Sequence, residues 1–240
     1  MSKHGDLKAI LEQEGFAVIP DFFTKEETAQ ILSVITNADT TRPTFRKAKD
    51  LFAIRQFLKE IPEVTGKIFN DKLKNFISEV FGNKYFVVKS IYFDKPGQSN
   101  WFVAYHQDLT ISVDRKSEIP GFGPWTTKQN QFAVQPPLEL LQGNFTMRIH
   151  LDDTDENNGA LKVIPHSHAK GLYRPETIDR NIETETICNV PEGGIMLMKP
   201  LLLHASGKTT NDRKRRVIHI EYSSSNLPDD LNWSEQYAIF

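Results

Sequence analysis

Beyond Gly82 the sequence is a succession of short runs rich in β-branched and aromatic residues, and this pattern limits the possible fold more than any other feature. Runs of this kind, separated by turn residues, predict β-strands. They cover residues 85–93, 101–108, 144–151, 160–164, 186–190, 194–198, 201–205 and 215–222. Many short strands in series predict a sandwich or a barrel, and the absence of alternating helices argues against a doubly wound α/β fold.

The first 82 residues carry a helical pattern instead. Apolar residues at helical spacing predict helices over 6–14, from Thr24 to about Ile35 and over 71–81, with a short strand over 16–19. Thr24 and Glu27 have the spacing of a capping box, which marks the start of the second helix. We therefore expect one domain over 1–240, with a helical portion at about 1–82 and a β portion at about 83–223.

Charge and composition exclude several classes of protein. The 240 residues carry 29 basic and 31 acidic side chains, a net charge of −2 that gives no electrostatic basis for nucleic-acid binding. No apolar run approaches the ~20 residues that a membrane span needs. The first residues do not resemble a secretory signal, and the single cysteine, Cys188, cannot form an internal disulfide. These features predict a cytoplasmic globular protein without a nucleic-acid or membrane partner.

The segment 114–137 is rich in proline and glycine and predicts a long irregular loop. Loops of this length within a compact domain are usually functional or disordered. We expect this one to enclose a substrate, with Trp125 as part of the pocket wall.

The first chemical motif is His106-Gln107-Asp108, at the end of a predicted strand. Residues i and i+2 of a strand project from the same face, so this imidazole and this carboxylate can converge on one metal ion. Taken alone, the pattern also fits a histidine that lies near an unrelated aspartate.

The second motif is His204, which follows the apolar run Leu201-Leu202-Leu203. By itself it also fits a core histidine. Two histidines and one carboxylate are, however, the ligand set of non-haem Fe(II) oxygenases, which leaves open positions on the metal. Arg215 lies eleven residues further on, and an arginine suits the far carboxylate of a dicarboxylate co-substrate because its guanidinium is planar and permanently charged.

Together, His106-x-Asp108, His204, Ser206 and Arg215 resemble the pattern of the phytanoyl-CoA dioxygenase-like family of Fe(II)/2-oxoglutarate-dependent oxygenases. Two further stretches fit this resemblance, which runs from about residue 14 to 223. Residues 15–20 with 24–32 are similar to the family's N-terminal strand and helix. Residues 155–161 with 165–168 are similar to its "ENGxL…PGSH" segment, where His166 replaces the usual glycine.

The resemblance implies a fold and a chemistry. The fold would be a double-stranded β-helix, a cupin-like jelly-roll barrel with the N-terminal helices on one face. His106, Asp108 and His204 would bind Fe(II), and Arg215 and Ser206 would bind 2-oxoglutarate, with Arg216 as an alternative anchor. The activity would be hydroxylation of a small organic molecule with O₂, since halogenating relatives lack the carboxylate that Asp108 supplies.

Two more residues are candidates for the same pocket. Lys89 lies on an otherwise apolar strand, and a buried lysine needs a carboxylate partner, which could be the co-substrate or a side chain of the protein. Arg148 shares a strand face with His150 and Asp152. If that face points inward, Arg148 lines the pocket, and if it points outward, it is a solvated polar face. We expect the inward direction, because Met147, Ile149 and Leu151 could pack beneath the helices. His166 and His168 have i, i+2 spacing but lie in a turn, so we expect them to shape a rim rather than bind metal.

Two alternatives remain open at the level of the sequence. The same iron site could carry out desaturation, epimerisation or ring formation. The chain could also be a catalytically silent jelly-roll binding protein, although the retention of all the expected ligands speaks against this. The sequence does not indicate the substrate or the oligomeric state.

Overall fold

The computed structural model describes residues 5–39, 45–48, 51–128, 131–228 and 231–240. Its helices are α1 (Gly5–Glu14), α2 (Lys25–Thr36), α3 (Phe57–Glu60), α4 (Thr65–Ile68), α5 (Asp71–Phe81) and α6 (Leu138–Gly143), with short 3₁₀ turns at Pro62–Val64, Ser167–Lys170 and Pro175–Thr177. Its strands are β1 (Phe16–Ile19), β2 (Phe45–Ala48), β3 (Leu51–Arg55), β4 (Phe86–Lys95), β5 (Val103–His106), β6 (Ile111–Val113), β7 (Trp125–Lys128), β8 (Gln131–Val134), β9 (Phe145–His150), β10 (Leu161–Val163), β11 (Thr186–Cys188), β12 (Ile195–Met198), β13 (His204–Ser206), β14 (Arg215–Ser223) and β15 (Tyr237–Ala238).

The strands form three antiparallel sheets. The large sheet has the order β1-β12-β9-β14-β4-β3-β2, with β15 also paired to β4. The small sheet has the order β11-β10-β13-β5, and a third sheet has the order β6-β8-β7. The prediction of a mostly β jelly-roll fold with N-terminal helices is confirmed, although the hydrogen-bonded ladders form separate sheets rather than one closed barrel.

The two faces of the large sheet have different partners. Met147, Ile149 and Leu151 are buried in a cluster with apolar residues of α1, α2 and α5. Strand alternation sends Arg148 and His150 to the opposite face, toward the small sheet. The helices therefore cover one side of the large sheet and leave its other side to line a cavity.

The N-terminal helices begin and end largely where their sequence predicts. Thr24 caps α2, because its hydroxyl accepts a hydrogen bond from the Glu27 N–H while the Glu27 carboxylate accepts one from the Thr24 N–H. The mostly helical interpretation of 1–82 missed one feature, the hairpin of β2 and β3, which extends the large sheet beyond β4. No helix within the described part of the chain is long and apolar enough to cross a membrane.

The expectation of an irregular loop over 114–137 is wrong in part. This segment contains β7 and β8, which pair with each other, and β8 also pairs with β6. Apolar side chains of these strands pack with α6 and Trp233, and this packing orders a segment whose prolines and glycines indicated a loop. Residues 129–130 lie outside the described residues.

The C-terminal segment places a buried carboxyl group against β4. The carboxylate of Glu235 accepts two hydrogen bonds from Ser90. The backbone N–H of Ser90 donates one at 2.7 Å, and the Ser90 hydroxyl donates the other. Burial raises the pKa of Glu235 to about 7, although both hydrogen bonds act to lower it.

This carboxyl group predicts a pH dependence of stability. The folded-state pKa lies above the ordinary value of 4.5, so the folded protein binds more protons and its stability falls as the pH rises from about 4.5 to about 7. We expect Glu235→Gln to remove on the order of 2 kcal/mol of this dependence, measured as the free energy of unfolding in urea across that pH range. Glu139→Gln, at an exposed position on α6, is the matched control. The same pH profile in Glu235→Gln and wild type would contradict the prediction.

Candidate metal centre

Two neighbouring strands of the small sheet carry the two histidines of the predicted site. His106 ends β5 and His204 begins β13, and the two residues are direct partners across the antiparallel ladder. Asp108 follows two residues after His106, and its backbone N–H donates a 2.9 Å hydrogen bond to the carbonyl of Pro200. This bond holds the turn after β5 against the segment that leads into β13, so all three side chains converge.

The distances among the three side chains suit one small ion. Nε2 of His106 lies 3.8 Å from Oδ1 of Asp108, and Nε2 of His204 lies 3.9 Å from Oδ2. The two imidazole rings are 4.3 Å apart between centroids. Their potential ligand atoms all lie within 4.8 Å of one another.

Backbone hydrogen bonds fix which ring nitrogens face this point. Nδ1 of His106 lies 2.9 Å from the carbonyl of Ala104, and Nδ1 of His204 lies 2.8 Å from that of Leu202. A carbonyl oxygen can only accept, so each Nδ1 carries the proton and each Nε2 keeps a free lone pair. Metal-binding histidines are held by the same kind of outer hydrogen bond.

Electrostatics at the three side chains also favour a cation. Burial lowers the pKa of His204 to about 4, which leaves its ring neutral. Burial alone would raise the pKa of Asp108, but nearby positive charge, including that of Lys89, lowers it below its usual range. Oδ2 of Asp108 is buried and has no hydrogen-bond partner among the described residues. A divalent cation would satisfy this oxygen, so the donor set fits Fe(II).

A second group of possible ligands shares Asp108 with the first. Asp108, His219 and Glu221 also lie within 4.8 Å of one another. Glu221 is already paired with Lys89 at 2.7 Å, and His219 contacts the guanidinium of Arg148 at 3.1 Å. The two cations make this second group the less suitable metal site.

The consecutive arginines of β14 face opposite sides of the large sheet. Arg215 is 2% exposed, lines the cavity and donates from Nη1 to the carbonyl of Gly159 at 2.7 Å. Arg216 instead forms a two-pronged pair with Asp152, at 2.8 and 2.6 Å. Asp152 therefore belongs to the face of Arg216, and its predicted place on the face of Arg148 and His150 is wrong because the chain leaves the strand after His150.

The surroundings of Arg215 include a cation that the sequence interpretation missed. Lys95 is the cross-strand partner of Arg215, is fully buried, and donates from Nζ to the carbonyl of Gly207. Burial, with a smaller contribution from Arg215, lowers the pKa of Lys95 to about 7. Its even spacing from Lys89 along β4 is the signal that could have placed it on the same face.

Gly159 brings these groups together. Its carbonyl accepts hydrogen bonds from both Arg215 and the hydroxyl of Ser206. Its φ is +89°, and an added Cβ would lie 2.8 Å from Nζ of Lys95. The left-handed backbone therefore favours glycine here, and any larger residue would also have to displace the end of the lysine side chain.

The cavity between the sheets has a volume of about 170 Å³. Its wall consists of Lys89, Ile91, Phe93, Trp101, Val103, His106, Asp108, Arg148, Leu161, His204, Ala205, Ser206, Arg215, His219 and Glu221. The expectation for Trp125 is therefore corrected. Trp125 lies on β7 and packs in the cluster that contains Val134 and Trp233, and Trp101 is the tryptophan that lines the cavity.

The other histidine pair contacts the first helix. His166 and His168 contact the backbone carbonyls of Gln13 and Glu12, each at 2.9 Å. His166 has a φ of +64°, which is the left-handed conformation that glycine adopts most readily. Its contacts with α1 compensate for a residue other than glycine at this position.

Comparison with protein families gives a match that spans most of the chain. The family described as phytanoyl-CoA dioxygenase (PhyH) matches residues 11–217. A curated relative from Stutzerimonas stutzeri, named as a probable alpha-ketoglutarate-dependent hypophosphite dioxygenase, is 29% identical over 100 residues. That alignment covers 33% of this chain and only 34% of the relative, about a third of its length.

Solved structures share the fold at low sequence identity. EctD from S. alaskensis has a TM-score of 0.71 at 16% identity, covering 93% of this chain and 79% of its own. SnoK, the non-heme alpha ketoglutarate dependent carbocyclase from nogalamycin biosynthesis, has a TM-score of 0.66 at 15% identity. The match covers 92% of this chain and 83% of SnoK. HygX from Streptomyces hygroscopicus, with nickel, 2-oxoglutarate and hygromycin B bound, has a TM-score of 0.63 at 17% identity. The match covers 91% of this chain and 86% of HygX.

Proposed function

The chain belongs to the phytanoyl-CoA dioxygenase family of Fe(II)- and 2-oxoglutarate-dependent oxygenases, and we propose that it hydroxylates a small organic molecule with release of succinate and CO₂. The observation that carries this proposal is the convergence of His106, Asp108 and His204, with both Nε2 lone pairs and an unpaired carboxylate oxygen directed at one point. On the evidence of its single cysteine and its composition, we also propose a cytoplasmic location.

The residues expected to bind the metal and the co-substrate have proposed roles. His106, Asp108 and His204 would bind Fe(II) and leave open positions for other ligands. Arg215 would bind the distal carboxylate of 2-oxoglutarate with help from Ser206. When bound, iron and 2-oxoglutarate supply the oxidation of the substrate by O₂.

The protein itself holds the groups that bind the metal and the co-substrate in position. The outer hydrogen bonds to Ala104 and Leu202 hold the imidazoles in one tautomer before any ligand enters. Arg215 is held by the carbonyl of Gly159, so its guanidinium is oriented in advance. Because these groups are already arranged in the unliganded protein, less conformational entropy is lost when ligands bind.

A specific observation favours a second candidate outcome at the same site. SnoK, which has a similar fold, is named a carbocyclase, so ring formation, desaturation or epimerisation could follow from the same iron chemistry. HygX binds hygromycin B in its structure, and both comparisons support a small-molecule substrate. A silent binding protein remains the alternative from another class.

Two measurements test the proposal. Anaerobic addition of Fe(II) and 2-oxoglutarate should produce a visible charge-transfer band, whereas a silent binding protein should not produce one. O₂-dependent succinate formation should then be assayed with candidate substrates, and the products examined by mass spectrometry. A product heavier by one oxygen atom supports hydroxylation, and a product lighter by two hydrogen atoms supports desaturation or ring closure. Absence of the band would contradict the proposed function.

A further inference from the structure

A chain of four polar side chains crosses the floor of the cavity beside the metal centre. Arg148 Nη1 lies 3.1 Å from Nδ1 of His219, and Nε2 of His219 lies 3.1 Å from Oε1 of Glu221. The same carboxylate oxygen accepts a 2.7 Å bond from Nζ of Lys89. These residues come from β9, β14 and β4, which are adjacent in the large sheet.

The hydrogen bonds determine the state of His219 within this chain. A guanidinium can only donate, so Nδ1 of His219 accepts from Arg148 and its Nε2–H donates to Glu221. His219 is thereby satisfied on both sides as a neutral ring. Glu221 and Lys89 compensate each other, which leaves Arg148 as the member whose charge is not matched.

Arg148 makes no ion pair with a carboxylate among the residues that the structure describes. It is 6% exposed and lines the cavity, and its Nε is buried without a hydrogen-bond partner. A buried cation is costly unless an anion compensates it. Burial lowers the pKa of Arg148 to about 10 while the carboxylate of Asp108 acts to raise it, and the proposed metal site would engage that carboxylate.

When Fe(II) and 2-oxoglutarate are bound, the charges of the site leave room for one further anion, beside Arg148. Fe(II) and Arg215 together would balance Asp108 and the two carboxylates of 2-oxoglutarate, and Lys89 balances Glu221. Lys95 has a pKa lowered to about 7 and is not among the residues that line the cavity, so Arg148, on the floor beside His219, remains as the cation without a matching anion. A negatively charged group beside Arg148 would compensate its charge.

We propose that Arg148 is the specificity residue of this site, which binds a carboxylate or oxyanion group of a small anionic substrate. This inference rests on the proposed function for the location of the reacting centre. His219 acts as a positioning residue, because it holds Nη1 of the guanidinium while Arg148 lines the cavity.

The experiment uses simple probes on protein loaded anaerobically with Fe(II) and 2-oxoglutarate. Hypophosphite and acetate are the anions, and acetamide is the neutral counterpart of acetate. Binding is measured by the intrinsic tryptophan fluorescence, to which Trp101 in the cavity wall contributes, and by changes in the visible band. We expect both anions to bind and acetamide to bind much more weakly.

Substitutions of Arg148 distinguish binding of the anions by this residue from their direct binding to the metal. Arg148→Gln should weaken anion binding by about ten- to a hundredfold and leave the affinity for 2-oxoglutarate unchanged. Arg148→Lys keeps the charge and should retain part of the anion affinity, which guards against a folding defect in the first variant. Arg213→Gln, at an exposed ion pair with Asp155, is the matched control and should behave as wild type.

Several outcomes would overturn the inference. Equal anion affinity in wild type and Arg148→Gln would show that the probes bind the metal alone. An equal loss of 2-oxoglutarate affinity would assign Arg148 to the co-substrate. Failure of wild type to form the charge-transfer band would instead contradict the proposed function, and the fluorescence comparison of the anions would still decide the role of Arg148.

Discussion

Replacement of His204 by alanine is expected to abolish turnover and to weaken Fe(II) binding by at least about a hundredfold. Changes to groups that only support a metal ligand commonly cost ten- to a hundredfold in affinity, and this change removes a ligand itself. His106→Ala and Asp108→Ala should have the same effect, because two remaining ligands do not define an oxygenase site. Anaerobic calorimetry with Fe(II) and O₂-dependent succinate formation are the two measurements.

His166→Ala is the matched control for these substitutions. It removes an exposed imidazole that contacts the Gln13 carbonyl and lies outside the cavity, so iron binding and turnover should stay near wild type. Circular dichroism of all four variants should show a retained fold. Turnover near the wild-type rate in His106→Ala or His204→Ala would refute the metal assignment.

Arg215→Leu is expected to weaken 2-oxoglutarate binding by about one to two decades while Fe(II) binding stays near normal. A charge-assisted hydrogen bond to a carboxylate contributes about 1.5–3 kcal/mol, which corresponds to that loss. Ser206→Ala should cost less, because it removes a hydroxyl and no charge. Titration of 2-oxoglutarate into each Fe(II)-loaded variant under anaerobic conditions measures these affinities.

Arg216→Leu provides the control for this comparison. It has the same chemistry at the next position of the same strand, but Arg216 is paired with Asp152 on the opposite face of the sheet. This substitution should lower the stability of the fold and leave the affinity for 2-oxoglutarate nearly unchanged. A larger loss of 2-oxoglutarate affinity in Arg216→Leu than in Arg215→Leu would contradict the proposed anchor.

The sequence predicted those parts of the structure that depend on periodicity and on motifs. Strand alternation correctly separated Arg148 from Met147 and Ile149, because a strand that is covered by helices on one face must turn its polar residues to the other. The capping pair Thr24 and Glu27 was also readable, since both partners lie within one turn of the chain.

The parts that were missed depend on contacts distant in sequence. The strands β7 and β8 are ordered by packing against α6 and Trp233, and no local pattern in the proline- and glycine-rich segment reports that packing. Trp125 was therefore placed in the wrong cluster. Lys95 was missed because its significance comes from Arg215 on the neighbouring strand.

The position of β5 gives the proposed metal a consequence outside catalysis. This strand lies at the edge of the small sheet, and its ladder to β13 is interrupted by an irregularity between His204 and Ser206. An ion held by His106 and His204 would cross-link that ladder, and a ligand that binds only the folded protein stabilises it by mass action. Edge strands with short ladders are among the first segments to open, and transient opening exposes a chain to proteases. Iron-loaded protein is therefore expected to resist proteolysis for longer than iron-free protein.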